Sequence, residues 1–283
     1  MTHDVGPLAS YVHDGASVTR NGQVVAGSST GVSVDPSTIT ADSAESAVAD
    51  EVRLSFRTGA GCAVLGALFL LVGTAMHPVP ANLNDAALSF ADYAATSRPA
   101  WVAAHLIQLA GVTGMVLAMV VLARAAGIAG RSRFWARVTA VYGAAAIAVT
   151  AALQAVDGVA LKAAVDLWAQ APAAERSALF AAAQALRQTE IGLDGMFSLT
   201  LGATTLAFGL VLAAARARLL AALALLTAAT AAVAGVLFCL QGFSATAMNA
   251  GTASGVLGLV LTTATAAWGW RRAPRMAPKP SRA

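Results

Sequence analysis

WVAAHLIQLAGVTGMVLAMVVLAR, residues 101–124, decides the class of this chain. A bilayer's hydrocarbon core is about 30 Å thick and takes about 20 apolar residues of helix. This run has that length and carries one ionisable side chain before its last residue, His105, near its start. Five more segments meet the same requirement: about 58–76, 135–157, 190–212, 218–240 and 247–269. The expected fold is all-α, a membrane bundle of six transmembrane helices.

Composition agrees. The 283 residues are 58% hydrophobic and 11% charged, with mean hydropathy +0.69; a soluble domain averages about 25% charged residues. The domain reading has three parts: a disordered cytoplasmic tail over 1–57, the six-helix domain over 58–270 and a basic cytoplasmic tail over 271–283. The tail 1–57 is poor in large apolar groups and has no sustained period. Asp42-Ser-Ala-Glu-Ser, within it, reads at most as the start of a short amphipathic helix toward Arg53 and Arg57.

Net charge +4 and pI near 9.6 would suit a nucleic-acid binder. The positions of the basic residues argue against one, since they sit in short connections and in the C-terminal tail. With the N-terminus inside, fourteen of the eighteen Lys and Arg fall on the inner side. The outer side holds Arg98, Lys162, Arg176 and Arg187. This asymmetry places both termini in the cytoplasm. Abundant Ala, Gly and Arg point to a GC-rich bacterial gene, hence a bacterial plasma membrane. The partners expected are the lipid bilayer and no nucleic acid.

Between the spans, His77-Pro78 stops the first helix, because proline lacks the N–H and disfavours helix in the residue before it; Pro80 follows. The middle of the next connection, LNDAALSFADYAA, reads as a short surface helix. The third span is expected to run on to about 169. Pro172 suits the first turn of another helix, which joins the fourth span, so that a helical extracytoplasmic extension stands between spans three and four. The alternative is a broken or re-entrant third or fourth segment. Gly111 and Gly114 suit a close backbone approach, and so does Gly251-x-x-x-Gly255, which is also a face for a homo-oligomer or membrane partner. Cys62 and Cys239 fall near opposite membrane faces, too far apart for a disulfide, and read as small buried packing residues.

The chemistry concentrates at one end. At a rise of about 1.5 Å per residue, His105 lies roughly 7 Å below the outer end of its span. His77, Asp157, Glu190 and Asp194 sit at span ends on that same side. Trp101, His105 and Gln108 share a helix face; so do Thr150, Gln154 and Asp157, and so do Glu190, Asp194 and Ser198. Three converging polar stripes would make an outer-leaflet pocket for a small ligand, an ion or a proton, with His105, Gln108, Gln154, Asp157, Glu190 and Asp194 as its residues. Intramembrane ionisable groups mark function by default. His77, His105, Asp157, Glu190 and Asp194 are suitable ligand types for Zn, Fe or Mn, although no H-x-x-x-H or H-E-x-x-H spacing is present. His77 and His105 could instead ligate a haem. Set against these, most such chains carry no cofactor, His77 can simply close a helix, His105 can be a packing clamp, and the five Trp can be interfacial anchors. The function classes left open are binding or transport, a metal- or haem-dependent membrane enzyme, and a structural or assembly partner.

The His77-Pro78 stop, Trp101-x-x-x-His105, LQAVDGVALK (153–162) and EIGLDG (190–195) together resemble a loosely defined group of uncharacterised bacterial multi-pass membrane proteins. The resemblance covers about residues 60–270. It implies a six-helix membrane domain and transfers no activity.

Overall fold

The structure is a computed structural model that describes residues 41–78, 85–127 and 130–273. Residues 1–40, Pro80, Asn82, Asn84 and the tail beyond 273 lie outside the described residues, and with them most of the expected disordered and basic tails. The described residues are helical throughout, without a strand. The helices are α1 (Ala41–Met76), α2 (Ala86–Ala95), α3 (Arg98–Ala126), α4 (Gly130–Ala155), α5 (Lys162–Gln170), α6 (Ala173–Ala214), α7 (Arg218–Gln241) and α8 (Ala245–Arg272). A π-helical turn, Val156–Leu161, joins α4 to α5 without a break. Six helices are long and apolar enough to cross a membrane, as in a multi-pass membrane protein. Their outward faces carry large apolar side chains such as Leu68, Phe69, Val233 and Leu240, which lipid would cover.

Helix α1 starts at Ala41, so residues 41–57, expected in the tail, are helical and run straight into the first span. Around the bundle, α1 packs on α3, α3 on α4, α4 on α6, α6 on α7, α7 on α8, and α8 back on α1. The spans thus follow one another in sequence and close into a ring. The α1–α3 seam is the tightest: a Cβ on Gly111 would lie 2.4 Å from the Leu70 backbone nitrogen, and one on Gly66 2.5 Å from that of Met115. Only glycine permits such an approach, and dispersion between close backbones is the force available where lipid is as apolar as the side chains.

At 1.5 Å per residue the 42 residues of α6 run about 63 Å, roughly twice the hydrocarbon core. The excess lies at the end of the bundle where α1 finishes. There α5 and the first half of α6 form a hairpin that packs with α2 around Phe90, Tyr93, Leu161, Val165 and Ala183. Asp85 caps α2 by accepting from the Leu88 N–H at 3.1 Å. Asp166 bridges Lys162 and Arg98, and Lys162 Nζ also donates to the Tyr93 carbonyl at 2.9 Å, so one buried cation ties α5 to α2. Cys62 is half-buried and Cys239 exposed, a correction to the reading of both as buried; both are free thiols.

Candidate functional site

The site is assembled where α1 stops. The His77 N–H closes the last turn onto the Gly73 carbonyl at 3.1 Å, and Pro78 prevents another turn. The imidazole is thereby left over α3, its ring 5.2 Å from Trp101 and 4.8 Å from His105, centroid to centroid. One turn apart on α3, Trp101 and His105 stack at 5.0 Å and 28°. Both are buried. Trp101 is therefore not an interfacial anchor; it forms the floor of the cluster.

The third component comes from the π-turn. A π-turn inserts an extra residue into a helix and is found frequently at functional sites. Here it presents Asp157 toward α3. The Asp157 carbonyl accepts from Trp101 Nε1 at 3.1 Å, and its carboxylate Oδ2 lies 2.8 Å from His105 Nε2 and 3.8 Å from His77 Nε2. Gly158, next in the turn, lies flat on His105: a Cβ there would stand 2.8 Å from the His105 Cβ and 2.9 Å from Cγ.

Hydrogen bonding fixes the state of His105. Its Nδ1 is 2.7 Å from the Trp101 carbonyl. A carbonyl only accepts, so Nδ1 carries the proton. In a neutral imidazole Nε2 is then a lone pair, and it faces an ionised carboxylate oxygen at 2.8 Å. Two acceptors at that distance require a cation between or beside them, either a proton or a metal ion. Ligand atoms of His77, His105 and Asp157 all lie within 4.8 Å of one another.

A second layer surrounds the cluster. Tyr93 packs its ring 4.7 Å from Trp101, and its hydroxyl accepts from Arg187 Nη1 at 3.3 Å. Arg187 is buried and lies over the rings of Phe90, Tyr93 and Phe243. Burial, with the Glu190 charge adding to it, pushes the Tyr93 phenol up to about 12.

The other sequence candidates occupy different places. Glu190 is buried, and its Oε2 has no hydrogen-bond partner; Asp157, Asp194 and Arg187 are the charges that act on it. Asp194 lines a cavity inside the ring. Gln154 keeps a buried Oε1 without a partner. Gln108 faces α1, against Gly73. Of the five metal candidates, His77, His105 and Asp157 converge; Glu190 and Asp194 are not part of that group. The His77 and His105 rings flank one carboxylate at 4.8 Å centroid separation, which leaves no room for a porphyrin plane between them. Gly158 and Tyr93 were missed by sequence reasoning, and so was the role of Trp101. The one available signal was Asp157-Gly158 inside an otherwise helical run.

No protein family, curated protein or solved structure matches the chain.

Proposed function

We propose that this multi-pass membrane protein binds a divalent transition-metal ion through His77, His105 and Asp157. The observation that supports this best is the His105 Nε2–Asp157 Oδ2 contact, made while Nδ1 is committed to the Trp101 carbonyl. A ligating histidine typically donates its other N–H to a carbonyl or carboxylate, which fixes the tautomer and orients the ring. Bonds of about 2.0–2.2 Å in a tetrahedral shell put neighbouring ligand atoms about 3.3 Å apart. The two distances to Asp157 Oδ2, 2.8 and 3.8 Å, lie either side of that value, and the three ligand atoms together span up to 4.8 Å, so binding draws the His77 ring inward. Imidazole with carboxylate suits Zn, Fe, Ni or Cu, and three protein ligands leave a coordination position open.

The reading is one of binding rather than carriage across the membrane. Asp194 is the one ionisable residue lining the cavity below, and the remaining wall is apolar side chains, hydroxyls and glycine. The excess of Lys and Arg in the connections at the opposite end supports an orientation with this end outside and both termini in the cytoplasm of a bacterial plasma membrane; in that orientation the ion arrives from the extracytoplasmic face.

The test is elemental analysis of detergent-purified protein, then stripping with chelator and titration with Co(II), whose visible spectrum reports ligand type. Stoichiometric uptake that disappears in His105→Ala and Asp157→Asn is expected. A protein that takes up neither Co(II) nor Zn(II) at neutral pH overturns the metal reading. It would leave a proton shared by His105 and Asp157, the reading that the 2.8 Å separation also suits.

A further inference from the structure

We propose that the cavity inside the ring takes a single-chain amphiphile from the bilayer, which enters sideways between α1 and α8 and presents a hydrogen-bond-donating head, an amine or hydroxyl, to Asp194. The cavity measures about 450 Å³ and is walled by α1, α3, α6, α7 and α8. That volume lies in the range of roughly 300–1,000 Å³ that accepts one medium-sized organic molecule; it is not sized for a two-chain lipid.

The position of the mouth follows from exposure. Among the lining residues the exposed ones are Leu71 and Thr74 of α1 and Thr252, Gly255 and Val256 of α8. Those from α3, α6 and α7 are half-buried or buried. Toward the opposite end of the bundle the two helices meet, where Phe56 packs on Trp268 at 5.4 Å and Ala63 and Ala266 share one buried cluster. Toward His77 they part, and the gap is left between exposed apolar side chains such as Val72 and Val260. In a bilayer, what stands before such a gap is lipid.

Helix α8 keeps the space open. Gly251, Gly255, Gly258 and Thr262 are four, three and four residues apart and share one face. Small residues on membrane helices ordinarily let a neighbouring helix approach. Here an added Cβ at Gly255 or Gly258 would meet nothing within 4 Å, so in this chain the two glycines hollow the cavity instead of closing a seam. The head is specified by hydrogen bonding. Asp194 is the one ionisable group in the lining and takes part in none of the ion pairs among the described residues. Glu190 lies one turn away on α6. A carboxyl oxygen in a low-dielectric wall accepts from an N–H or O–H donor, and the same apolar wall disfavours burial of a phosphate or a fatty-acid anion.

The experiment uses the full-length protein in phosphatidylcholine nanodiscs and a diazirine-bearing hexadecylamine as photoprobe, with hexadecylamine, hexadecanol and hexadecanoate as competitors. Labelling should map to α6 and α8 and yield to the amine and the alcohol at least tenfold better than to the acid. Gly255→Phe should reduce labelling at least tenfold, and Gly258→Leu provides the same test should the first variant lose its thermal transition. Asp194→Asn should retain labelling and lose the preference for amine over acid. Metal content of the glycine variants should be unchanged, so the outcome stands apart from that of the metal site. Labelling indifferent to both glycine variants, or spread over the outer faces of the bundle, overturns the proposal. So does a dimer that the glycine variants dissociate, since a second copy of the chain would then fill the gap through Gly251 and Gly255.

Discussion

Gly158→Ala is the sharpest perturbation of the candidate metal centre, because it touches no ligand atom. A Cβ at this position would sit 2.8, 2.9 and 3.2 Å from Cβ, Cγ and Cδ2 of His105, where ordinary contact begins at 3.4 Å. The imidazole would therefore have to retreat by at least about 0.6 Å. Its freedom to do so is small: Nδ1 is held at 2.7 Å by the Trp101 carbonyl, and the Trp101 ring stacks against it. Metal–ligand distances tolerate about ±0.2 Å, and loss of correct ligand orientation typically costs 10–100-fold in affinity. That factor corresponds to about 1.4–2.8 kcal/mol. Overpacking adds about 1–3 kcal/mol of destabilisation, partly offset by the up to 1 kcal/mol that alanine gains over glycine in a helix. The assay is competition for Zn(II) against a chromophoric chelator, with the thermal midpoint measured in the same detergent. Gly192→Ala, in the regular α-helix α6, is the control: its Cβ meets nothing within 4 Å, so affinity should hold and the midpoint rise slightly. Wild-type Zn(II) affinity in a folded Gly158→Ala protein would refute the reasoning.

Asp157→Asn keeps the shape of the side chain and removes its charge. It should abolish Zn(II) uptake and, through the lost charge-assisted bond to His105, lower stability by about 1.5–3 kcal/mol, read as a drop in thermal midpoint. The Tyr93 phenol, raised from 10.0 to about 12, should stay neutral in the folded protein while an exposed phenol ionises. Because the folded value lies above the unfolded one, the corresponding stability is intact below pH 10 and is lost as pH rises through 12. The phenolate absorbance difference between wild type and Tyr93→Phe, with unfolding followed over that window, checks both statements. Lys162→Met removes a buried cation that holds Asp166 and the Tyr93 carbonyl. A loss of about 1–3 kcal/mol is expected, with increased proteolysis near Tyr93 and little change in the rest of the bundle.

Helices were legible because each is a local matter. The apolar runs, the His77-Pro78 stop and the helix between Ala86 and Ala95 follow from neighbours in the chain. The stretch from Asp42 was read at most as a short amphipathic helix within a disordered tail; in the structure it is continuous with the first span from Ala41, with Val52 and Phe56 packed on the core. Cys239 was read as buried from its residue type, yet it lies on an exposed face of α7. Gly251-x-x-x-Gly255 shows the same limit: the pattern states that α8 has a small-residue face, and only the position of α1 decides whether anything comes to meet it.

What the sequence by itself determined was a chain of six membrane-length helices with the few ionisable residues at span level gathered at one end, because length, hydropathy and charge are properties of each segment alone. The convergence of His77, His105 and Asp157 was decided by tertiary structure. They come from three different elements, the end of α1, the second turn of α3 and a π-turn after α4, and no linear spacing encodes their meeting. Trp101 illustrates the physical reason. A tryptophan at a span end is as apt to anchor at the interface as to be buried. It is buried here because the ring of helices brings the end of α1 and the π-turn against one face of α3, and that same closure turns two histidines and a carboxylate into one site.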